Sequence, residues 1–297
     1  MSAALGPVLV GLAVGLLLRR GGIAGPEHGR FLLQLNFYVC LPALVLPAVA
    51  GADVGLGLLV FPAAAVVMVA VGYAVGRLVA RASVTSRQDR AVVTTSFMVV
   101  NCAFALPFVG AVHGTAGVVR VAAFDLVHGL LVATVALAVA ARADPTATPD
   151  VRRLGGQLLR TPLLHATAIG ALLNLAGLPL PAVVAQGLAP FATASLAVVA
   201  LGCGLVLEPL QDRARIGSLA LARLAAGLVS AAVLVLALGL EGTDRGVLLM
   251  LGATPLGFVV VTFAATHRLG TRLSSNLLLA SLALSVVVYG GVGLAVG

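Results

Sequence analysis

Polar side chains inside the apolar stretches of this sequence lie beside two prolines. Asn101 stands six residues before Pro107, and Thr254 stands directly before Pro255. Proline removes a backbone donor and clashes with the preceding helical turn, so it frees carbonyl groups. Inside a membrane, such backbone is tolerated where it lines a cavity or packs against protein. The pattern is therefore typical of two kinked helices with interhelical hydrogen bonds, or of two interrupted helices that bind a solute.

We favour the solute site because the prolines occur in both halves of the chain. The residues predicted to contact the solute are Asn101, Cys102, Pro107, Thr254, Pro255, Gly257 and Asn36. Asn36 comes from an earlier apolar segment, where a packing hydrogen bond is an equally open interpretation.

Charged side chains inside apolar stretches form the second candidate group. Asp125 is the only acidic residue inside these apolar stretches. An ionised carboxylate in a bilayer should be paired, protonated or in contact with water. His128 lies three residues further on, on the same helical face. Arg223 is the candidate partner from another helix. Two roles remain open for this group, namely a buried structural pair and proton coupling.

Several kinds of chemistry are disfavoured by the motifs that the sequence lacks. Cys40, Cys102 and Cys203 are far apart, and no CxxC or close Cys/His spacing occurs, which predicts neither a metal nor a redox site. The GxxxxGK[ST], HExxH and GxSxG motifs are also missing from the sequence. We therefore predict a protein that is not an enzyme, has no cofactor and is not driven by nucleotide hydrolysis.

The composition places these residues in a membrane protein. Hydrophobic residues make up 61% of the chain, charged residues 9%, and the mean hydropathy is +1.15. A soluble domain needs about a quarter of charged residues to cover its surface. The lipid bilayer is therefore a predicted partner. The net charge of +8 could suggest nucleic acid, but the arginines form no basic stripe, so no nucleic-acid partner is predicted.

Ten apolar stretches are long enough to cross a bilayer as helices, because about 17–25 residues span the hydrocarbon. They cover residues 3–18, 31–50, 56–80, 91–111, 115–141, 162–178, 184–206, 216–239, 246–266 and 274–296. Of the 18 arginines, 15 fall in one set of alternate loops and two, Arg120 and Arg245, in the other set. The positive-inside rule places the first set in the cytoplasm and both termini outside.

The two halves of the chain repeat each other. A shift of 155 residues superposes Pro7 on Pro162, Gly15 on Gly170, Gly22 on Gly177, Pro26 on Pro181, Gly72 on Gly227, and Asp89–Arg90 on Asp244–Arg245. Five spans separate equivalent positions, so the halves have opposite orientations, as in many secondary transporters. The predicted fold is an all-α polytopic membrane protein of ten helices. It comprises one five-helix repeat (1–141), a cytoplasmic linker (142–160) and an inverted repeat (161–297).

Several segments, in order along nearly the whole chain, resemble the auxin efflux carrier family. They are LNFYVCLPALVLPAV (35–49), NCAFALPFVGAVHG (101–114), LLRTPLLHATAIGALLNLAGLPLP (158–181), LAVVALGCGLVLEP (196–209), ARLAAGLVSA (222–231) and GATPLGFVVVTFA (252–264). The resemblance implies a scaffold made of spans 1, 2, 6 and 7 and a moving unit made of the other six. It also implies that spans 4 and 9 are interrupted and cross at mid-membrane, where they form the site. Family substrates are mostly organic anions, such as auxin in plants and small carboxylates in bacteria.

We therefore predict a secondary carrier in the cell (inner) membrane that moves a small organic anion, such as a carboxylate or an auxin-like acid, by alternating access. Helix N-termini at the crossing would carry the partial positive charge that suits an anion. A cation-coupled symporter or a sodium/proton antiporter of similar fold is the first alternative. A non-transporting membrane sensor or scaffold is an alternative of another class. A homodimer is the oligomeric form considered.

Overall fold

The computed structural model describes residues 2–53, 55–144, 161–207 and 212–295, and these ranges are helical throughout apart from short connections. The helices are α1 (Ser2–Arg20), α2 (Pro26–Leu35), α3 (Leu41–Ala50), α4 (Val60–Ser83), α5 (Arg87–Met98), α6 (Cys102–Leu131), α7 (Leu137–Ala143), α8 (Pro162–Leu175), α9 (Ala182–Val206), α10 (Arg213–Ala237), α11 (Gly242–Gly252), α12 (Val259–Thr266) and α13 (Thr271–Ala295). Wider π-helical turns join α2 to α3 (Asn36–Cys40) and α6 to α7 (Val132–Ala136), and a 3₁₀ turn (Leu56–Leu59) precedes α4.

Helix boundaries follow local sequence signals. Pro26 and Pro162 occupy first-turn positions, where the missing amide hydrogen costs nothing. For this reason α2 begins at Pro26, five residues before the predicted span at 31. The hydroxyl of Ser86 accepts a hydrogen bond from the Asp89 amide at 3.0 Å and caps the start of α5.

Six helical stretches of the described ranges are long and apolar enough to cross a membrane. They are Pro26–Ala50, Leu56–Ser83, Cys102–Ala143, Ala182–Val206, Arg213–Ala237 and Thr271–Tyr289. This confirms an all-helical polytopic membrane protein, while the count of ten spans stays a prediction. Helix α6 changes direction sharply at Gly114, where φ is 60° and ψ is −154°, and the predicted boundary between residues 111 and 115 falls on this bend.

The helices pack in two groups. In the first group, α9 packs against α1 and α2, while α3 packs against α8. In the second, α4 packs against α5 and α6, and α10 packs against α11 and α13. Helix α6 contacts α3 and α11, so it joins the groups. Most of the predicted linker, residues 145–160, lies outside the described residues.

Candidate functional site

The first interruption separates α5 from α6 over three residues, Val99 to Asn101. Val99 has an extended backbone, with φ −95° and ψ 112°. Asn101 begins α6 as its N-cap, because its side-chain oxygen accepts a hydrogen bond from the Phe104 amide at 3.0 Å. Asparagine is among the best residues for this position, so the sequence stops one helix and starts the next without a proline at the break.

The second interruption separates α11 from α12 over Ala253 to Phe258. Pro255 lies inside it and has no amide hydrogen to continue a helix. Gly257 packs against the side chain of Val99, where an added Cβ would collide. The two interruptions are therefore in direct contact.

Backbone and side-chain hydrogen bonds join the two interruptions. Val100 and Leu256 run antiparallel as a single β-bridge. The side-chain amide of Asn101 donates to the Leu256 carbonyl at 3.2 Å, and its backbone amide donates to the Thr254 hydroxyl at 3.3 Å. Asn101 and Thr254 are buried, at 3% and 0% exposure. We call this contact the crossing.

In each interruption, one backbone amide donates a hydrogen bond to a side chain from a helix further along the chain. The Val100 amide donates to Nε2 of His128 in α6 at 3.0 Å. The Leu256 amide donates to the hydroxyl of Ser281 in α13 at 3.1 Å. Buried amides need such partners, so both side chains hold the crossing together. Ser281 was not among the predicted site residues, because a serine 25 residues from its partner carries no local signal in the sequence.

Arg223 binds the carbonyl ends of both interruptions from α10. Its guanidinium donates to the carbonyls of Ser96 at 3.0 Å, Val99 at 2.9 Å and Pro255 at 2.9 Å, and also to the carbonyl of Thr254. Arg223 is only 6% exposed. No carboxylate of the described residues lies within ion-pair distance of it, so the predicted pairing with Asp125 is not formed. The guanidinium instead satisfies carbonyls that the helices leave open.

Asp125 pairs with His128, the other predicted partner. The Asp125 carboxylate lies 3.3 Å from Nδ1 of His128, and the Cys102 sulfur lies 4.0 Å from the same nitrogen. Cys102 and His128 are buried, whereas the Asp125 side chain is 28% exposed. The fold thus brings a cysteine and a histidine together across 26 residues, which the sequence spacing did not suggest.

These three groups are close enough to be considered as a metal site, because their candidate ligand atoms lie within 4.8 Å of one another. The hydrogen bond from Val100 argues against it. Since Nε2 of His128 accepts that amide, Nδ1 carries the proton of the neutral ring. A protonated nitrogen has no lone pair for a metal, so the arrangement fits a hydrogen-bonded group better than a metal centre.

Two further predicted residues lie elsewhere. Pro107 lies inside α6 and not in the interruption, so the expectation that the first break forms beside it is wrong. The break forms at Asn101 because the N-cap starts a new helix there. Asn36 is buried in the first helix group, and its side-chain oxygen accepts a hydrogen bond from the Ser195 hydroxyl at 2.6 Å. The structure therefore brings Asn101, Cys102, Thr254, Pro255, Gly257, His128, Asp125 and Arg223 to one region and leaves Asn36 in a helix contact.

A comparison with protein families gives a match over nearly the whole chain. Residues 1–149 and 151–290 match the family described as membrane transport protein. No individual curated protein matches the sequence. Because the match covers well over half of the chain, the protein belongs to this membrane transport protein family, the family of the auxin efflux carriers, and is a membrane transporter.

Proposed function

We propose that the protein is a secondary carrier that moves a small organic anion by alternating access, with the crossing as its substrate site. The observation that carries this proposal is the position of Arg223, which binds the carbonyls of both interruptions. A buried cation without a carboxylate partner among the described residues makes the crossing electropositive. An electropositive site in a medium of low polarity favours an anionic solute.

Helix ends reinforce this charge. The carbonyls that Arg223 binds lie in the last turn of α5 or directly after the C-terminal ends of α5 and α11, which carry partial negative charge. Once the guanidinium offsets these ends, the N-terminal ends of α6 and α12 contribute partial positive charge at the same depth. A carboxylate is the simplest group that such amides and a nearby guanidinium would bind.

We further propose that the chain forms ten spans in two inverted repeats. Gly22 and Gly177, which the 155-residue shift superposes, both have a positive φ, of 68° and 65°. Gly72 packs against the carbonyl of Phe97, and its equivalent Gly227 packs against the carbonyl of Gly252, which is the equivalent of Phe97. Asn101 and Leu256 are also separated by 155 residues, and they bind each other. Equivalent residues touch where a two-fold axis passes, so this contact supports an axis through the crossing.

Transport would require the crossing to move. A cavity of about 20 Å³ lies between Arg223, Gly72 and Leu251, which is room for about one water molecule. An organic anion needs far more space, so the second helix group, which contains both interruptions, would shift against the first group to admit it. In this proposal the first helix group is the scaffold of the carrier and the second is its moving unit. In this proposal the termini lie outside, and cysteine labelling of introduced surface residues would test that orientation.

A thermal-shift screen of the purified protein tests the substrate class. Ligands that bind only the folded state stabilise it, by about 2.7 kcal/mol at a hundredfold excess over Kd. We expect mono- and dicarboxylates or an indole carboxylic acid to raise the melting temperature, and sodium or inorganic anions to have no comparable effect. Stabilisation by sodium alone would favour the cation antiporter and contradict the anion carrier.

A pair of variants tests whether the crossing is the site. Asn101→Ala removes the bond to the Leu256 carbonyl and should abolish the ligand-induced shift. Asn174→Ala is the matched control, because the Asn174 amide also bonds backbone carbonyls, those of Ala50 and Ala52, but lies in the first helix group. Equal loss of the shift in both variants would refute a site at the crossing.

A further inference from the structure

The neighbours of His128 determine which of its ring nitrogens carries the proton of the neutral form. The ring is buried at 3% exposure and stacks on Phe124, with 5.5 Å between ring centroids. Its Nε2 accepts the Val100 amide at 3.0 Å, and a backbone amide can only donate. The neutral ring therefore carries its proton on Nδ1, which faces Asp125 at 3.3 Å. One ring nitrogen holds the crossing, and the other faces a carboxylate.

We propose that His128 is the proton-binding residue of this transporter and that its protonation releases the crossing. A proton that adds to the Nε2 lone pair turns this acceptor into a donor. The hydrogen bond from the Val100 amide then breaks, because two N–H groups face each other, and the new Nε2–H bond is the only covalent change in the step. The added charge rests on the imidazolium ring beside the Asp125 carboxylate. This inference rests on the carrier function proposed above. It adds that the coupling ion is the proton.

The surroundings of His128 include a counter-charge for an added proton. Asp125 and Cys102 on α6 lie beside the ring. The other titratable or charged groups around it are Arg223 on α10, which binds the Val99 carbonyl, and Tyr289 on α13, which interacts electrostatically with Cys102. Arg223 is engaged by backbone carbonyls, and the Tyr289 hydroxyl donates to the Met250 carbonyl at 2.6 Å. Asp125 is left as the carboxylate that can stabilise an imidazolium, and its side chain is 28% exposed.

Thermodynamic linkage determines which conformation a bound proton favours. A conformation in which Val100 has moved away from His128 leaves Nε2 free and binds a proton more tightly than the conformation described here. By reciprocity, a proton bound at Nε2 favours the conformation in which the interruptions have separated. Among the side chain types at the crossing, histidine is the one whose charge ordinarily changes between about pH 5 and 8. The second interruption has no such property, since the Ser281 hydroxyl does not titrate.

Nitrogen NMR of the full chain, labelled with ¹⁵N-histidine in lipid nanodiscs, tests the protonation state directly. The His128 signals are identified by their loss in His128→Gln. We expect the Nδ1–H form at about pH 8 and the doubly protonated ring at about pH 5.5, within the range in which histidine titrates. An Nε2–H form at the higher pH, or a ring that is still neutral at the lower pH, would overturn the proposal.

Hydrogen–deuterium exchange tests the release of the crossing. After correction for the intrinsic effect of pH, protection of the peptide that contains Val100 should fall about tenfold between about pH 8 and about pH 5.5, the equivalent of one lost hydrogen bond. His128→Gln keeps an acceptor near the Nε2 position but cannot titrate, so its protection should not change. His165→Gln is the control, because His165 is exposed, and it should respond as the wild type does.

Two outcomes of the exchange experiment contradict the proposal: an unchanged wild type, or an equal response in His128→Gln. If His128→Gln does not fold, Asp125→Asn replaces it. This variant removes the counter-charge of the imidazolium and should move the response to lower pH, and an unmoved response would overturn the proposal. Neither experiment uses a substrate. A pH response without organic acid binding would therefore refute the substrate class and leave the role of His128 intact, and the reverse result would do the opposite.

Discussion

The two interruptions of the crossing solve the same structural problem with different residues. The first, at Val99 to Asn101, contains no proline, starts the next helix with an asparagine cap and gives its free amide to His128. The second, at Ala253 to Phe258, contains Pro255 and gives its free amide to Ser281. Both present carbonyls to the same Arg223. The backbone arrangement is thus shared, while the side chains that hold it differ.

This difference shows how a repeated fold can become chemically asymmetric. The shift of 155 residues superposes Val100 on Pro255, so the backbone opens at equivalent positions whether or not a proline is there. What differs is the free amide and its acceptor. Val100 donates to His128, whose side chain can titrate, whereas its equivalent Pro255 has no amide hydrogen and the next residue, Leu256, donates to Ser281, which does not titrate. An ion-coupled carrier needs two states of unequal ion affinity, and one titratable acceptor is enough to provide them.

The largest expected effect comes from the residue that both interruptions share. Arg223→Gln removes donors to the carbonyls of both sides and leaves several of them buried without a partner, at about 1–3 kcal/mol for each group. We expect a loss of at least about 3 kcal/mol of stability. Arg223→Lys should recover part of it, since an ammonium group reaches fewer of the carbonyls. Thermal unfolding in detergent, with the yield of folded protein, measures the effect.

Arg120→Gln is the control for this prediction. Arg120 also binds across helices, to the Asp244 carboxylate, but this pair is partly exposed, at 27% and 29%. Partly exposed ion pairs contribute about 0–1 kcal/mol. If Arg223→Gln cost no more than Arg120→Gln, Arg223 would not hold the two interruptions together.

The second prediction concerns the glycines that bring the preceding helices close to the interruptions. A Cβ at Gly72 would collide with the Phe97 carbonyl, and one at Gly227 with the Gly252 carbonyl. Because backbone must shift in both cases, Gly72→Ala and Gly227→Ala should each cost about 1–3 kcal/mol. Unfolding measurements should give similar values in the two halves, since the contact is the same.

Two other glycines within helices provide control substitutions for Gly72→Ala and Gly227→Ala. Gly129 in α6 and Gly217 in α10 have open space around the Cβ position. Replacing either by alanine should be neutral or slightly stabilising, because alanine has the higher helix propensity. A large cost at Gly72 with none at Gly227 would show that the two halves do not share this packing.

Sequence reasoning found the parts of this molecule that composition and local motifs determine. It predicted the membrane class, the all-helical fold and the family, which are confirmed, and Pro255 does lie in an interruption. It placed the first interruption beside Pro107 because proline is the strongest local breaking signal. The actual break occurs at Asn101, where the side chain caps a new helix in place of a continuous one. The internal repeat indicated this position, because it superposes Val100 on Pro255.

The contacts that hold the crossing together could not be predicted from the sequence, because they join residues that are far apart along the chain. Val100 and His128 are 28 residues apart, and Arg223 and Val99 are 124 residues apart. Nothing local distinguishes an arginine that binds carbonyls from one that binds a carboxylate. The pairing of Asp125 with His128 was a candidate because it is local, at three residues along one helix.

The third prediction tests the hydrogen bond that joins the interruptions at Thr254. Its hydroxyl accepts the Asn101 amide at 3.3 Å and donates to the Leu251 carbonyl at 3.0 Å. Thr254→Val keeps the shape but leaves the buried Asn101 amide without an acceptor, which should cost about 1–2 kcal/mol. Thr167→Val is the control in the first helix group, because the buried Thr167 hydroxyl only donates to the Leu163 carbonyl. A smaller loss of melting temperature for Thr254→Val than for Thr167→Val would contradict the assignment.

The smallest effect, and the one that separates the two interruptions most directly, is expected at Ser281. Ser281→Ala removes the acceptor of the Leu256 amide and the donor to the Leu278 carbonyl, while the Leu256 carbonyl keeps its bond from Asn101. One buried amide is left without an acceptor, which should cost about 1 kcal/mol. Ser274→Ala in the same helix is the control, since its hydroxyl donates to the Thr271 carbonyl. The difference in melting temperature between Ser281→Ala and the wild type should be the same at about pH 8 and about pH 5.5, because a hydroxyl does not titrate there. The corresponding difference for His128→Gln should change over this range, since only the wild type loses the Val100 bond on protonation. If both differences changed with pH to the same extent, the asymmetry between the interruptions would have another origin than the acceptors of their amides.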